Sequence, residues 1–252
     1  MYQNMRLIFF CFMLLLSFSS SADFLSNDAK IIISHAGGSI NGNIYLNSLE
    51  AVQSSIKKGF KFIELDLLET PDGDLIAAHD WKTFHKITGY PSQNNPISSK
   101  EAKERKILKN QTVLTSSDIE KIFMQHTDLF LVTDKIRNIG TIKKKFSAFL
   151  DRVIVEFKSP EECRQGATEG ISKCAFLFNF LPSVDSLDER YITLIVMPLR
   201  KVDDYKEKLL NKSSVKVFVY TVNDIITARK ILDLPFVKGI YTDTLTPNFM
   251  DN

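Results

Sequence analysis

From residue 129 onward, short β-branched or aromatic runs alternate with segments of helical spacing, and this alternation limits the fold more than any other feature. The strand candidates there are Leu129–Thr133, Val153–Glu156, Ala175–Phe178, Ile192–Met197, Val215–Thr221 and Val237–Tyr241. Helical patterns cover Ile139–Leu150, Pro160–Glu169, Val202–Leu210 and Asp224–Leu232. Crossovers of that length join parallel strands, because an antiparallel pair needs only a tight turn. Upstream, Lys30–Ser34, Lys61–Asp66 and Asp74–Ala78 add three strand candidates, with a helix over Asn47–Lys58 closed by Gly59.

Nine candidates exceed the eight of a closed barrel, so one of them is accessory or not a strand. It is either Asp74–Ala78, which follows the strong turn Thr70-Pro71-Asp72-Gly73, or Ala175–Phe178. The expected fold is α/β: a TIM-type (β/α)8 barrel, single domain over residues 23–252. A long irregular insertion follows the third strand candidate, and residues 82–112, polar with Pro91 and Pro96, could lie over a site as a lid. Thr115–Gln125 should then form a helix capped by Ser116 or Ser117. A doubly wound open sheet is the alternative, but no glycine-rich phosphate loop supports it.

The length of 252 residues suits one barrel, and 44% hydrophobic residues provide its core. With 32 basic against 30 acidic side chains the net charge is only +2, which gives no reason to expect nucleic acid or an anionic membrane as partner. Lys143-Lys144-Lys145 reads as a solvated helix face.

Residues 1–22 have the build of a signal peptide. Arg6 is the positive start, Leu7 to Phe18 is apolar apart from Ser17, and Ser20-Ser21-Ala22 supplies small residues before a cleavage at Asp23. The run is short of the roughly 20 residues that span a bilayer, so no stable membrane insertion is expected. The mature chain would be exported, periplasmic or secreted, and would keep Cys163 and Cys174. These two either form a disulfide closing a short loop or remain buried thiols.

Glu64 and Asp66 lie two apart on a strand, so both side chains leave the same face, while Ile63, Leu65 and Leu67 face the barrel wall. Adjacent carboxylates repel unless a cation or a proton stands between them. Hard oxygen ligands favour Ca²⁺ or Mg²⁺, with salt bridges to lysines as the alternative. His35 ends the first strand and His79 follows the hairpin strand as His79-Asp80. Around such a metal the two imidazoles would serve as acid and base. His85 and His126 receive no role.

These pieces together resemble the glycerophosphodiester phosphodiesterase family, part of the phosphatidylinositol phospholipase C-like phosphodiesterase superfamily. The family's His-Arg-Gly, Asn-Ser/Thr, Glu-x-Asp, Thr-x-Asp-Gly and His-Asp elements correspond to His35-Ala36-Gly37, Asn47-Ser48, Glu64-Leu65-Asp66, Thr70-Pro71-Asp72-Gly73 and His79-Asp80. Tyr220-Thr221-Val222-Asn223 and Gly239-Ile240-Tyr241-Thr242-Asp243 resemble its closing runs. The resemblance implies a metal-dependent phosphodiesterase acting on a small-molecule phosphodiester. Glu64 and Asp66 would be metal ligands and His35 and His79 the proton-transfer pair, with a neighbouring hydroxyl of the substrate as first nucleophile through a cyclic phosphate. Asn47 and Lys135 would contact substrate.

The chain departs from that pattern twice. Ala36 stands where the family has a phosphate-facing arginine, and Thr133-Asp134-Lys135 stands where it has Glu-x-Lys. Asp134 is the candidate third ligand and Glu156 the fallback, with Lys135 or Arg137 supplying positive charge. Strand alternation sends Asp134 and Lys135 to opposite faces, so both can serve one site only if the strand ends there. Two other readings follow: a phospholipase-like enzyme on lipid or an envelope polymer, or a non-catalytic binding protein on the same barrel.

Overall fold

The computed structural model describes residues 25, 28–180, 184–212 and 214–250; the expected signal peptide, residues 1–22, lies outside them. Eleven strands occur among the described residues: β1 Ile31–Ser34, β2 Phe62–Glu69, β3 Leu75–Ala77, β4 Lys106–Ile107, β5 Gln111–Thr112, β6 Phe130–Asp134, β7 Val153–Phe157, β8 Cys174–Leu177, β9 Leu194–Pro198, β10 Lys216–Tyr220 and β11 Val237–Thr242. Eight of them form a parallel barrel in the order β1-β11-β10-β9-β8-β7-β6-β2, and β1 closes it by pairing with both β11 and β2. The accessory strand is β3, which pairs antiparallel with β2 outside the barrel; Ala175–Phe178 belongs to barrel strand β8. The α-helices are α1 Leu49–Lys57, α2 Trp81–Ile87, α3 Ser99–Glu104, α4 Ser116–Gln125, α5 Ile139–Phe146, α6 Pro160–Thr168, α7 Val202–Leu210 and α8 Ile225–Leu232.

Alternation along the strands divides the apolar residues into two layers. Ile31, Ile33, Phe62, Val132, Ile154, Val196 and Phe218 fill the barrel interior. Their neighbours Ile32, Ile63, Leu65, Leu67, Leu131 and Val155 pack outward in a second core with the helices. Phe62, Glu64 and Asp66 therefore share the inner face, and the two carboxylates stand above the apolar plug. Cys163 of α6 and Cys174 of β8 are joined in a disulfide.

The insertion is not irregular. Residues 82–112 contain most of α2, all of α3 and the β4–β5 hairpin, and Phe84, Ala102 and Ile107 bury a third apolar cluster with Trp81, Ile76, Ala78 and Val113. These elements are too short to show a period in the sequence. The insertion also fails as a lid, because it packs on β3 and none of its residues lines the cavity described below.

Helix entry is set by short polar side chains. Asp80 accepts a 2.7 Å bond from Thr83 N at the start of α2, and Thr115, rather than Ser116 or Ser117, caps α4 through its N and Oγ1 bonds to Asp118. Partial burial opposes ionisation of Asp80, but bonds from His79 and Thr83 outweigh it and hold the carboxyl down to about 2. A folded value below the unfolded one stabilises fully above the unfolded pKa and is lost as pH falls through the folded one. The chain's single tryptophan, Trp81, follows this cap directly. Its fluorescence should redden as pH falls from about 4 towards about 2. Asp80→Ala should cost about 1 kcal/mol in chemical denaturation at neutral pH and remove that acid step. An unchanged acid titration in the variant would rule the cap out as its source.

Candidate active site

A cavity of about 400 Å³ opens at the carboxyl ends of the barrel strands, where this fold places its chemistry. His35, Glu64, Asp66, His79, Asp134, Lys135 and Glu156 all line it, with Tyr45, Asn179, Tyr220, Thr221 and Tyr241. Two histidines and four carboxylates from five separate stretches thus meet in one cup.

His35 follows β1 in a tight turn, with Ala36 at φ 47° and Gly37 at φ 79°. The turn aims Ala36 N at Glu64 Oε2, 2.7 Å away. His35 Nδ1 lies 2.9 Å from Asp243 Oδ1. The other carboxylate oxygen of Asp243 accepts from Asn223 Nδ2 at 2.7 Å, and Asn223 Oδ1 accepts from Asp243 N and Thr242 Oγ1. An ionised Asp243 can only accept, so the proton sits on His35 Nδ1 and Nε2 is left for exchange.

His79 reaches the cup by a different route. The β2–β3 hairpin carries the chain out and back, and Ala78 N donates to Asp66 O at 2.9 Å, which returns the next residue to the carboxylates. His79 Nδ1 lies 2.7 Å from Asp80 Oδ2. Each imidazole is therefore paired with one carboxylate, although His79 is half exposed and His35 largely covered.

The carboxylates differ in their company. Asn47, expected to contact substrate, is buried and instead clamps Asp66: its Nδ2 donates to Oδ2, and Asp66 N donates to Asn47 Oδ1, both at 3.0 Å. Asp134 accepts from Lys135 N at 2.6 Å, Lys135 Nζ at 2.5 Å and Arg137 NH2 at 3.1 Å. Burial opposes its ionisation, yet the Lys135 and Arg137 charges hold its pKa below the usual value. Glu64 is pushed well above the usual range, by burial first and then by the Asp66 and Glu156 charges. Glu156 rises to about 8, from burial and the charge of Asp134, although Tyr241 Oη donates to it at 2.5 Å.

Asp243 and Asn223 are not among the residues expected at the site from sequence, although both lie in the runs that resemble the family's, and the tyrosines carry no sequence signal of a role. His85, also left without a role, is a buried strut: Nε2 meets Asn95 O and Nδ1 meets Arg105 NH1, each at 2.8 Å.

The donor set bears on metal chemistry. Glu64, Asp66 and Glu156 offer hard oxygens, and burial first, then the neighbouring carboxylates, holds the two glutamates towards the neutral form, so a divalent cation among them would favour their ionised, ligating form. The chemistry therefore fits Ca²⁺ or Mg²⁺. Among the described residues no three His, Cys, Asp or Glu side chains stand ready-made around one point. A protein cation is there instead: Lys135 Nζ lies 3.3 Å from Asp66 Oδ1.

Known proteins resemble this chain in sequence and fold. A family model described as the glycerophosphoryl diester phosphodiesterase family matches residues 35–130, the stretch that holds His35, Glu64, Asp66 and His79. The glycerophosphodiester phosphodiesterase of Bacillus subtilis is 24% identical over 260 residues, covering 90% of this chain and 88% of that one. A glycerophosphodiester phosphodiesterase from Thermotoga maritima superposes with a TM-score of 0.68 at 23% identity, over 85% of this chain and 95% of its own. An Oleispira antarctica phosphodiesterase, solved with its product sn-glycerol-3-phosphate, gives 0.72 at 16% identity, over 88% and 97%. At these identities the superpositions show a shared barrel.

Proposed function

Because the chain belongs to the glycerophosphoryl diester phosphodiesterase family, and so to the phosphoric diester hydrolases, we propose that it is an exported enzyme that cleaves a small glycerophosphodiester with a divalent cation held by its carboxylates. The observation that carries this reading is the pair of carboxylate-bound imidazoles, His35–Asp243 and His79–Asp80, beside Glu64 and Asp66 in one cavity.

Each residue has a task in this scheme. His35 and His79 pass protons through Nε2: one takes the proton of the attacking hydroxyl, and the other gives a proton to the departing alkoxide. Asp243 and Asp80 fix the ring tautomers. Glu64, Asp66 and Glu156 would hold the cation, which when bound neutralises charge developing on the phosphoryl oxygens. Asp134 keeps Lys135 N and the Arg137 guanidinium on Oδ1 whatever Lys135 Nζ does, and this nearby positive charge favours Glu156 over Asp134 as the third ligand. With Ala36 in place of arginine, Lys135 is the cation best placed to meet the phosphate.

Export rests on the charged, apolar and small-residue sections of residues 1–22, and a disulfide in the mature chain suits an oxidising compartment. The phospholipase-like and binding-protein readings have no observation of their own in the cup.

The test is an assay of the exported chain, expected to begin at Asp23, on a panel of glycerophosphodiesters with and without Ca²⁺ or Mg²⁺. Turnover should need the cation, and Glu64→Ala should abolish the stimulation. Absence of turnover on every diester, or turnover indifferent to Glu64→Ala, would overturn the reading.

A further inference from the structure

Lys135 stands in an unusual position for its role. It is the residue directly after strand β6, and simple alternation would send its side chain away from Asp134. The chain avoids this by placing Lys135 at φ 66°, a left-handed conformation that side chains other than glycine rarely adopt. The ammonium comes back over the cup, 2.5 Å from Asp134 Oδ2 and 3.3 Å from Asp66 Oδ1. Backbone strain at a site is retained where the surrounding structure holds it and the site uses it.

The two carboxylates depend on this ammonium unequally. Asp134 would keep Lys135 N and the Arg137 guanidinium if Nζ left. Among the described residues, Asp66 would keep only the neutral amide of Asn47 on its side chain. Nζ is therefore the exchangeable charge partner of Asp66.

We propose that the Lys135 ammonium is a built-in occupant of the cation position at Asp66, and that a divalent cation binding to Glu64 and Asp66 displaces it towards the substrate phosphate. The inference rests on the metal-dependent reading above and adds an order to it. Two cations within a few ångströms of one carboxylate oxygen repel each other strongly away from bulk water. The lysine stem is flexible enough to move its charge while the backbone stays fixed. A displaced ammonium gains most by facing an anion, and the phosphate is the anion that enters this cup. One side chain thus compensates Asp66 before the cation binds and then takes the place of the arginine missing at Ala36. Metal and phosphate binding become coupled, and each must strengthen the other by the same factor.

Calorimetry without any diester tests this, with Ca²⁺ or Mg²⁺ titrated into the mature chain and into Lys135→Gln and Lys158→Gln. Lys158 also lines the cavity and reports the general effect of removing a positive charge. Lys135→Gln should bind the cation at least about tenfold more tightly than the unaltered chain, and Lys158→Gln within about threefold of it. Saturating sn-glycerol 3-phosphate should then tighten the cation more on the unaltered chain than on Lys135→Gln. Equal or weaker cation binding by Lys135→Gln, an equal gain in Lys158→Gln, or no cation bound by any chain would overturn the proposal. If displacement fails while cation-dependent hydrolysis is intact, only this inference falls. If Lys135→Gln gains affinity but no diester is cleaved, the functional reading falls instead.

Discussion

Replacing His35 with alanine should lower kcat by about 10²–10⁴-fold, the range for loss of a positioned proton donor or acceptor, while leaving the fold intact. The ring lies in the cavity, and its one strong hydrogen-bond partner is Asp243, which is itself held through Asn223. This predicts a graded series. Asp243→Asn keeps the shape but lets the amide donate to Nδ1, which favours the wrong tautomer and takes the basic nitrogen from the substrate. It should lose most of what His35→Ala loses in kcat, with KM nearly unchanged, because Asp243 acts through the histidine. Asn223→Ala should lose less, since Asp243 keeps its bond to the ring. Steady-state kinetics on the best diester of the panel, with circular dichroism as a check on folding, would decide. A His35→Ala enzyme within threefold of the unaltered kcat would sink this role for the ring.

The inner half of the site was legible in the sequence because strand alternation is local. Glu64 and Asp66 had to share a face, and the residues between them had to face the wall, where Ile63, Leu65 and Leu67 are found. The outer half depends on contacts that only a closed barrel makes. Asp243 meets His35 across 208 positions of chain, so nothing near either residue announces the pair. Asn47 is expected at the substrate only through the resemblance, and the contact the fold gives it, a clamp on Asp66 from its amide, has no signal in the neighbouring sequence. At Asp134 and Lys135 the alternation rule was sound. The strand stops at Asp134, and a left-handed residue then reverses the expected direction, a conformation that the residue type did not signal.

Gly239→Ala should be strongly destabilising, because the added methyl group would meet backbone. Gly239 pairs with Ile31 in the β11–β1 ladder, the junction that closes the cylinder. A Cβ at this position would lie 2.5 Å from Ile31 O and 2.9 Å from Ile31 Cβ. The glycine is needed here for close approach rather than for its own backbone angles. The obstacle is also backbone, which cannot rotate aside as a long side chain can. Overpacking a well-filled interior costs about 1–3 kcal/mol, and this contact belongs at the top of that range or beyond. For a chain of this size about 3 kcal/mol lowers Tm by about 6–12 °C. Gly59→Ala is the control: it has open space around it but φ 89°, so it carries backbone strain without a clash and should cost only about 1–2 kcal/mol. The same substitution at Gly239 should also reach the chemistry. Strand β11 carries Tyr241, which donates to Glu156, and leads directly to Asp243, which holds His35. Shifting β11 away from β1 separates Asp243 from a histidine that β1 supplies. Gly239→Ala should therefore lose kcat together with stability, whereas His35→Ala should lose kcat alone. Thermal denaturation and kcat measured on both variants separate the two effects, and a Gly239→Ala chain within about 1 kcal/mol of the unaltered one would mean that the barrel closes with more slack than this junction shows.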